Sequence, residues 1–322
     1  MLMTKDLDHP YMSHPKIAAF LAALCGVLWG SAYPGIKLGY ELFQVPAGNL
    51  SSQFLFAGMR FILAGIFVAI TFGIIHGNRA KEKKSLDHYR IQKSHIGPLI
   101  LLGLTQTGLH YGIFYQGLAF TQGSTGAIVN STGVFFSAIL AHMIYTYDKL
   151  SKKGIIGIIL GFVGVILVNL GPNFTFSFSL QGEGLVILAA FTQAAATIYG
   201  RRITKTLDPI IVTSFQLLVG GSSLLILGRI MGAQWFQGPP QAWLILGYLG
   251  FLSAAAFSLW TSLLKHNKVS SITVYNFVIP LSGTLLSALF LGESVLELRF
   301  ILALPAVAGG IAIVNSARNP VG

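Results

Sequence analysis

Charge is scarce in this chain of 322 residues. Only 10% of the residues are Asp, Glu, Lys or Arg, whereas 53% are hydrophobic. An average soluble protein carries about 25% charged residues, and the mean hydropathy here is +0.70. The shortage of charge excludes a water-soluble globular protein. The apolar runs that recur along the chain predict a polytopic helical membrane protein.

Cysteine and acidic residues are also few. Cys25 is the single cysteine, which excludes an intrachain disulfide, and its place in the first apolar run predicts a small core residue. Ten Asp and Glu stand against 21 Lys and Arg, giving a formal net charge of +11. Nucleic acid is not an expected partner, because the basic residues lie in short connections between apolar segments. The basic connection 76–95 is expected to face anionic lipid head groups.

What is present is a series of apolar segments long enough to cross a bilayer. A span needs about 20 apolar residues, and in lipid a helix satisfies its own backbone hydrogen bonds. No short alternating segments suggest a barrel, so the sequence predicts an all-α membrane protein with ten transmembrane helices. The predicted spans are residues 16–39, 53–75, 96–119, 123–146, 153–171, 183–203, 209–231, 241–264, 269–292 and 298–317.

Lys and Arg are distributed unequally between the two sides of these spans. With the N-terminus in the cytoplasm, 17 of the 21 fall on the inner side. The four that remain are Lys37, Arg60, Arg229 and Arg299. Because positive residues near span ends are retained in the cytoplasm, both termini are predicted to be cytoplasmic.

An internal repeat relates the two halves of the chain. Residues 148–169 parallel residues 293–315, which lie 145 or 146 positions later, and residues 29–37 align more weakly with 193–201. Five crossings is an odd number, so the second unit begins on the opposite side and the repeats are inverted. The predicted units are residues 1–172 and 173–322. In such proteins the substrate site lies near the midplane where the halves meet.

Short motifs accompany the repeat. They are Trp29-Gly30 in the first span, Arg60-Phe61-x-x-Ala64 in the second, and Pro280 thirteen residues before Glu293 in the ninth. Together with the five-plus-five spans, they resemble the drug/metabolite transporter superfamily, EamA type. The first half departs from the family pattern, because Phe135 and Asp148 stand where a proline and a glutamate are usual. The resemblance implies a carrier without ATPase parts that moves small organic metabolites, often outward, in the bacterial inner membrane.

Carboxylates are missing from the middle of every predicted span, since all ten acids fall in connections or at span ends. Proton- and sodium-coupled carriers commonly use an intramembrane acid, so any coupling group here must be different. His110, near the middle of the third span, is the candidate because imidazole changes charge in the physiological pH range. The alternative is a neutral histidine that hydrogen-bonds a neighbouring helix.

Arg60 is the one cation well inside a predicted span, and Gln216 is its repeat counterpart. Its guanidinium could bind a substrate carboxylate or phosphate. Alternatively it snorkels outward or pairs with Glu41 or Glu293. A gating role is favoured, in which Arg60 and Glu293 close the outer gate.

Small and helix-breaking residues predict how the helices pack and bend. Glycines recur in the fifth span at Gly154, Gly157, Gly161 and Gly164. They are expected to allow close packing within the monomer rather than to form a dimer face. Pro34 and Pro280 are expected to kink their spans and to act as hinges.

Amide and aromatic side chains remain as candidates for solute contact. The predicted substrate-binding residues are Trp29, His110, Tyr111, Asn130, Gln193, Tyr275 and Asn276. They predict an uncharged pocket for a neutral or zwitterionic solute such as an amino acid. The alternative is an anionic or phosphorylated metabolite held by Arg60 and Lys37. The expected partners are a small-molecule substrate and membrane lipids, with no metal or cofactor, and monomer and homodimer are left open.

Three rival classes are an intramembrane enzyme, a non-transporting membrane subunit and a channel, and flux against a gradient or counterflow exchange would distinguish a carrier from a channel. The sequence contains no H-E-x-x-H, G-x-S-x-G or P-loop motif, and no acid is placed to pair with His110. Inverted repeats with polar midplanes are hard to explain as a scaffold. The sequence therefore predicts a secondary transporter rather than an enzyme.

Overall fold

The secondary structure is helical across the described part of the chain. A computed structural model gives the fold, and it describes residues 10–46, 48–77, 91–121, 123–170, 178–291 and 298–316. These ranges contain no strand. The helices are α1 (Pro10–Ser13), α2 (Pro15–Leu42), α3 (Leu50–Gly77), α4 (Lys93–Gly103), α5 (His110–Leu118), α6 (Gly123–Asn130), α7 (Gly133–Ile144), α8 (Lys152–Asn169), α9 (Leu185–Ile203), α10 (Pro209–Ile230), α11 (Pro240–His266), α12 (Val269–Thr273), α13 (Val278–Leu291) and α14 (Leu298–Ser316). Leu104–Leu109 and Leu180–Gly184 are π-helical, and Val274–Phe277 is a 3-10 turn.

Seven helical segments in the described ranges are long and apolar enough to cross a membrane. They are Pro15–Leu42, Leu50–Ile74, Thr125–Ile144, Leu180–Ile203, Pro209–Ile230, Pro240–His266 and Val269–Phe290. Each falls on a predicted span. The other three predicted spans coincide with the continuous helical run from α4 to α5, with α8 and with α14. The prediction of an all-helical membrane protein is confirmed.

Local chemistry explains where two of these helices begin. The Asp208 carboxylate accepts a hydrogen bond from the Ile210 amide at 2.8 Å, and Pro209 fills the first position of α10. The Ser151 hydroxyl accepts from the Gly154 amide at 3.0 Å at the start of α8. Each cap satisfies an amide that has no partner within its own helix.

The helices pack in an arrangement that relates one half of the chain to the other. α3 packs on α10, and α8 packs on α14. α2 contacts α11 and α13, while α9 contacts α5 and α7. In chain order, the counterparts of α2, α3, α5, α7 and α8 are α9, α10, α11, α13 and α14. Replacing every helix by its counterpart gives the same set of contacts. These contacts therefore pair corresponding helices of the two halves.

Glycine allows α8 to approach α14 closely. A Cβ added to Gly157 would lie 2.7 Å from the Gly310 carbonyl oxygen, and one added to Gly164 would lie 2.6 Å from Val307. Gly161 faces the Phe277 ring in the same way. The prediction that this glycine series packs within the chain is confirmed at these three positions, whereas Gly154 lies near Ser151 only.

Pro280 lies inside the predicted span, within the helical segment Val269–Phe290. It is the third residue of α13, and the 3-10 turn Val274–Phe277 directly precedes that helix. Pro34 lies inside the continuous helix α2. The hinge roles of both prolines stay predictions.

Candidate functional site

A cavity of about 790 Å³ lies between the two halves of the chain. α2, α3 and α5 to α7 line it from the first half, and α9, α11 and α13 from the second. Small-molecule sites in proteins typically enclose about 300–1,000 Å³. The cavity therefore has the size of a metabolite site, and it lies at the junction predicted from the repeat.

The cavity opens at one end of the bundle. Gly48 in the α2–α3 connection and Ala119 just after α5 both line it. Tyr33, which also lines it, remains 45% exposed. This end is called the open end below. The opposite end, where α9 and α11 terminate at Ile203 and His266, is called the closed end.

Six of the seven predicted substrate-binding residues line this cavity. They are Trp29, His110, Tyr111, Asn130, Gln193 and Asn276. Tyr275 is buried outside the lining, and its hydroxyl lies 3.5 Å from the Asn315 amide nitrogen on α14. Adjacent residues on a 3-10 turn point in different directions, which separates Tyr275 from Asn276.

Two asparagines lie where cavity-lining helices are interrupted. α6 ends at Asn130 and α7 begins at Gly133, while Asn276 lies in the 3-10 turn before α13. The two residues are 146 positions apart and are repeat counterparts. In transporters, interrupted helices present backbone and amide groups to the substrate near the midplane. Asn130 and Asn276 are therefore placed to bind a polar group of a solute.

Aromatic rings form much of the remaining wall. Trp29 packs edge-to-face on Phe257 and Trp260, with centroids 5.3 and 5.0 Å apart. Tyr111 packs on Phe61 at 4.6 Å. The Trp29 indole nitrogen is buried without a hydrogen-bond partner among the described residues, and so is the Gln193 amide oxygen.

His110 bonds a neighbouring helix. Its Nδ1 lies 3.0 Å from the Ala189 carbonyl oxygen of α9, and its ring stacks on Phe114 at 5.8 Å. Since a carbonyl only accepts, Nδ1 carries the proton in the neutral ring and Nε2 is the nitrogen that would take up another. This bond is the one expected in the neutral-histidine interpretation. The coupling role stays a prediction.

Two cations line the pocket, so the prediction of an uncharged pocket is wrong. They are Arg60 and Lys37, and the lining contains no acid among the residues that the structure describes. Arg60 is only 3% exposed; its Nε donates to the Ser253 hydroxyl at 2.8 Å, and its guanidinium lies 5.1 Å from the centroid of the Phe61 ring. These partners hold the side chain inside the bundle and remove the need to snorkel.

The predicted gating residues occupy different surroundings. Arg60 and Pro280 line the cavity, whereas Pro34 is buried within α2 outside the lining. Glu293, the predicted partner of Arg60, lies outside the described residues. The Arg60–Glu293 gate stays a prediction.

Sequence reasoning did not single out several lining residues, among them Ser137, Thr197 and Phe257. The repeat contains a signal for two of them. Thr197 aligns with Tyr33 in the 29–37 match, and Phe257 lies 146 positions after Tyr111. Both counterparts also line the cavity. Ser137 gives no comparable signal.

A family model describes most of the chain. The EamA-like transporter family matches residues 16–170 and again residues 180–315. The EamA domain is therefore duplicated, with one copy in each half.

Curated relatives and a solved structure are similar over nearly the whole length. The uncharacterized transporter YvbV of Bacillus subtilis is 26% identical over 306 residues, covering 92% of this chain and 91% of its own. The uncharacterized inner membrane transporter YedA of Escherichia coli K12 is 26% identical over 294 residues, covering 90% and 87%. A protein crystal structure superposes with a TM-score of 0.73 at 17% identity, covering 92% of this chain and 97% of the other. At that identity the structural likeness shows the fold alone.

Proposed function

Because the chain belongs to the EamA-like transporter family, we propose that it carries small organic solutes across the bacterial inner membrane by alternating access. The observation that supports this most is the 790 Å³ cavity, which lies between the two halves and extends to one end of the bundle at Gly48 and Ala119. A carrier needs a binding site that faces one side at a time. The proposed partners are the solute and membrane lipids, with no cofactor.

The proposed architecture has ten crossings arranged as two inverted five-helix repeats. It is supported by the two family matches at residues 16–170 and 180–315 and by the exchangeable helix contacts. The Lys and Arg distribution supports cytoplasmic termini. In this arrangement the open end faces away from the cytoplasm, because the chain reaches it after one crossing.

The proposed substrate is a neutral or zwitterionic solute with an apolar body, such as an amino acid, and the proposed direction is export. Asn130, Asn276 and Gln193 supply amides, and Trp29 and Tyr111 supply aromatic surface. Arg60 is placed to pair with a single carboxylate through its fork of donors. A solute of this kind uses both the polar and the aromatic parts of the wall.

A second candidate is an anionic or phosphorylated metabolite. The specific observation in its favour is that Arg60 and Lys37 line the cavity together, with no acid among the lining residues in the described ranges. Two cations would compensate a doubly charged group. The first candidate and this one differ in the charge of the solute.

Thermal shift of the detergent-purified protein distinguishes the two candidates. A ligand that binds only the folded state stabilises it by about 2.7 kcal/mol at a concentration 100 times its Kd. We expect amino acids to raise the Tm, and the rise to disappear in Asn130→Ala. Asn169→Ala is the matched control, because that amide bonds the Val165 carbonyl at 2.8 Å on α8 away from the cavity. Stabilisation by sugar phosphates alone, abolished by Arg60→Gln, would favour the second candidate.

Counterflow in proteoliposomes tests carriage itself. Vesicles loaded with an unlabelled stabilising solute are diluted into labelled solute, and transient accumulation of label above equilibrium is expected. A channel would equilibrate the label without overshoot, and an enzyme would convert it. Absence of overshoot for every stabilising solute would refute the proposed function.

A further inference from the structure

A narrow crevice continues the cavity toward the closed end. Its volume is about 10 Å³, and Thr197 lines both the cavity and the crevice. Space for one water molecule is roughly 10–15 Å³. In this state the crevice is therefore too narrow for any organic solute.

Most of the residues that line the crevice are repeat counterparts of residues that line the open half of the cavity. Three alignments define the counterparts. On α2 and α9, residues 29–37 align with residues 193–201, and on α3 and α10, Arg60 matches Gln216 by position. On α5 and α11, counterparts lie 146 residues apart. The matched pairs, with the crevice residue first, are Thr197 and Tyr33, Arg201 and Lys37, Gln216 and Arg60, Thr261 and Tyr115, and Leu264 and Leu118.

A pair of hydrogen bonds supports the same correspondence at atomic scale. Arg60 donates from Nε to the Ser253 hydroxyl at 2.8 Å, and Gln216 donates from Nε2 to the Thr107 hydroxyl at 3.4 Å. Ser253 and Thr107 are 146 positions apart. The crevice and the open half of the cavity are thus one local structure in two copies, one shut and one open.

Arg201 holds the crevice shut. Its Nε donates to the Leu264 carbonyl at 2.5 Å, one terminal nitrogen donates to the Asn267 carbonyl at 2.9 Å, and the other donates to the Tyr147 hydroxyl. The guanidinium also lies 4.7 Å from the ring centroid of Tyr145. Carbonyls at a helix C-terminus attract cations, and here they belong to the end of α11. Arg201 therefore joins the end of α9 to the end of α11 and to the α7–α8 connection.

We propose that the hydrogen bonds of Arg201 keep the closed end shut, and Arg201 with these bonds is called the lock below. In this proposal the crevice is the collapsed second half of the solute pathway. Lys37 closes the open end in the alternate state. This inference rests on the proposed alternating access. In the alternate state the two repeats exchange conformations. Lys37, the counterpart of Arg201, then binds the end of α5, which is the counterpart of α11. Lysine has no planar fork, so the closure at the open end relies on fewer simultaneous hydrogen bonds.

Side-specific cysteine labelling tests the lock. Cys25→Ser removes the only cysteine, and Thr197→Cys then places one probe in the wall shared by cavity and crevice. A membrane-impermeant maleimide is applied to vesicles of either orientation. We expect Arg201→Gln to raise labelling from the closed-end side by at least about tenfold, because losing even one of the three charged hydrogen bonds of Arg201 has an effect of that size. Labelling from the open-end side should fall. Lys37→Gln should shift labelling the opposite way.

Arg202→Gln is the matched control, because Arg202 is the exposed neighbour of Arg201, and it should leave labelling unchanged. If Arg201→Gln raised maleimide labelling equally from both sides, the fold would be loosened as a whole, and the lock would be overturned. Unchanged labelling together with intact counterflow would overturn the lock while the proposed function stands. Absence of counterflow in the parent protein would remove the proposed function and the lock with it. If Thr197→Cys itself does not fold, Ser137→Cys, deep in the cavity wall, replaces it.

Discussion

His110 illustrates how a residue's partner constrains its role. Its Nδ1 is engaged by the Ala189 carbonyl, so protonation at Nε2 would create an imidazolium in a cavity wall that already contains Arg60 and Lys37. A carboxylate bound beside the ring would favour this imidazolium. Proton uptake at His110 would thus be linked to binding of an acidic group of the solute.

At the residue scale, the prediction is that His110→Gln abolishes solute-driven proton movement. Glutamine keeps a donor for the Ala189 carbonyl but does not titrate, so counterflow exchange should persist with reduced efficiency. The measurement is a pH-sensitive dye in proteoliposomes. The control is His14→Gln, at an exposed position before α2. Proton uptake that continues undiminished in His110→Gln would show that another group carries the coupled proton.

Sequence could identify several polar residues of the cavity wall because polar groups are conspicuous inside apolar spans. His110, Asn130, Gln193 and Asn276 stand out in this way, since hydrocarbon cannot satisfy their hydrogen bonds. Sequence could not reveal the charge of the pocket, because that depends on Ser253 and Phe61 holding Arg60 inside the bundle.

The lock at Arg201 was hidden from sequence for a related reason. Two of its three hydrogen-bond partners are backbone carbonyls, of Leu264 and Asn267, and backbone groups carry no sequence signal. Tyr275 was predicted to line the pocket but lies outside the lining. The sequence does not reveal the 3-10 turn that directs its side chain away from that of Asn276.

At the element scale, two helix pairs join the halves through close contact. α8 and α14 approach through Gly157 and Gly310, where each glycine's missing Cβ would lie within 2.7 Å of the other's carbonyl oxygen. Within lipid there is little hydrophobic drive between helices, so such contacts carry much of the packing energy. α3 and α10 approach in the same manner, since a Cβ on Gly221 would lie 2.8 Å from the Ile62 amide nitrogen.

The prediction at this scale is that Gly157→Ala lowers the Tm of the detergent-purified protein by several degrees. The added Cβ collides with backbone, which cannot move aside locally, and overpacking typically costs about 1–3 kcal/mol. Gly154→Ala, on the same helix, meets only Ser151 Oγ at 3.4 Å and should be neutral or stabilising, because alanine favours helix by about 1 kcal/mol over glycine. Equal Tm values for the two variants would contradict the packing role of Gly157.

At the scale of the whole molecule, the number of crossings decides which way the cavity faces. Seven helices meet the length and composition needed for a span in the described ranges, and ten segments were predicted from the sequence. An odd number of crossings would place the termini on opposite sides of the membrane, while ten would place both on the same side. Only the even count agrees with two inverted repeats and with a Lys and Arg excess on one side.

Reporter fusions separate the two counts. Alkaline phosphatase is active only outside the cytoplasm, so a fusion after Gly322 should be inactive and a fusion in the 43–49 connection active, whereas green fluorescent protein at the C-terminus should fluoresce. A third phosphatase fusion in the 204–208 connection should be inactive, because six crossings precede it in the ten-span arrangement. Active phosphatase both in the 43–49 connection and after Gly322 would imply an odd number of crossings and would refute the inverted repeat. With the C-terminus and the 204–208 connection both inside, Arg201 lies near the cytoplasmic surface and the open end of the cavity faces outward, so the lock at Arg201 would have to open for a solute to enter from the cytoplasm.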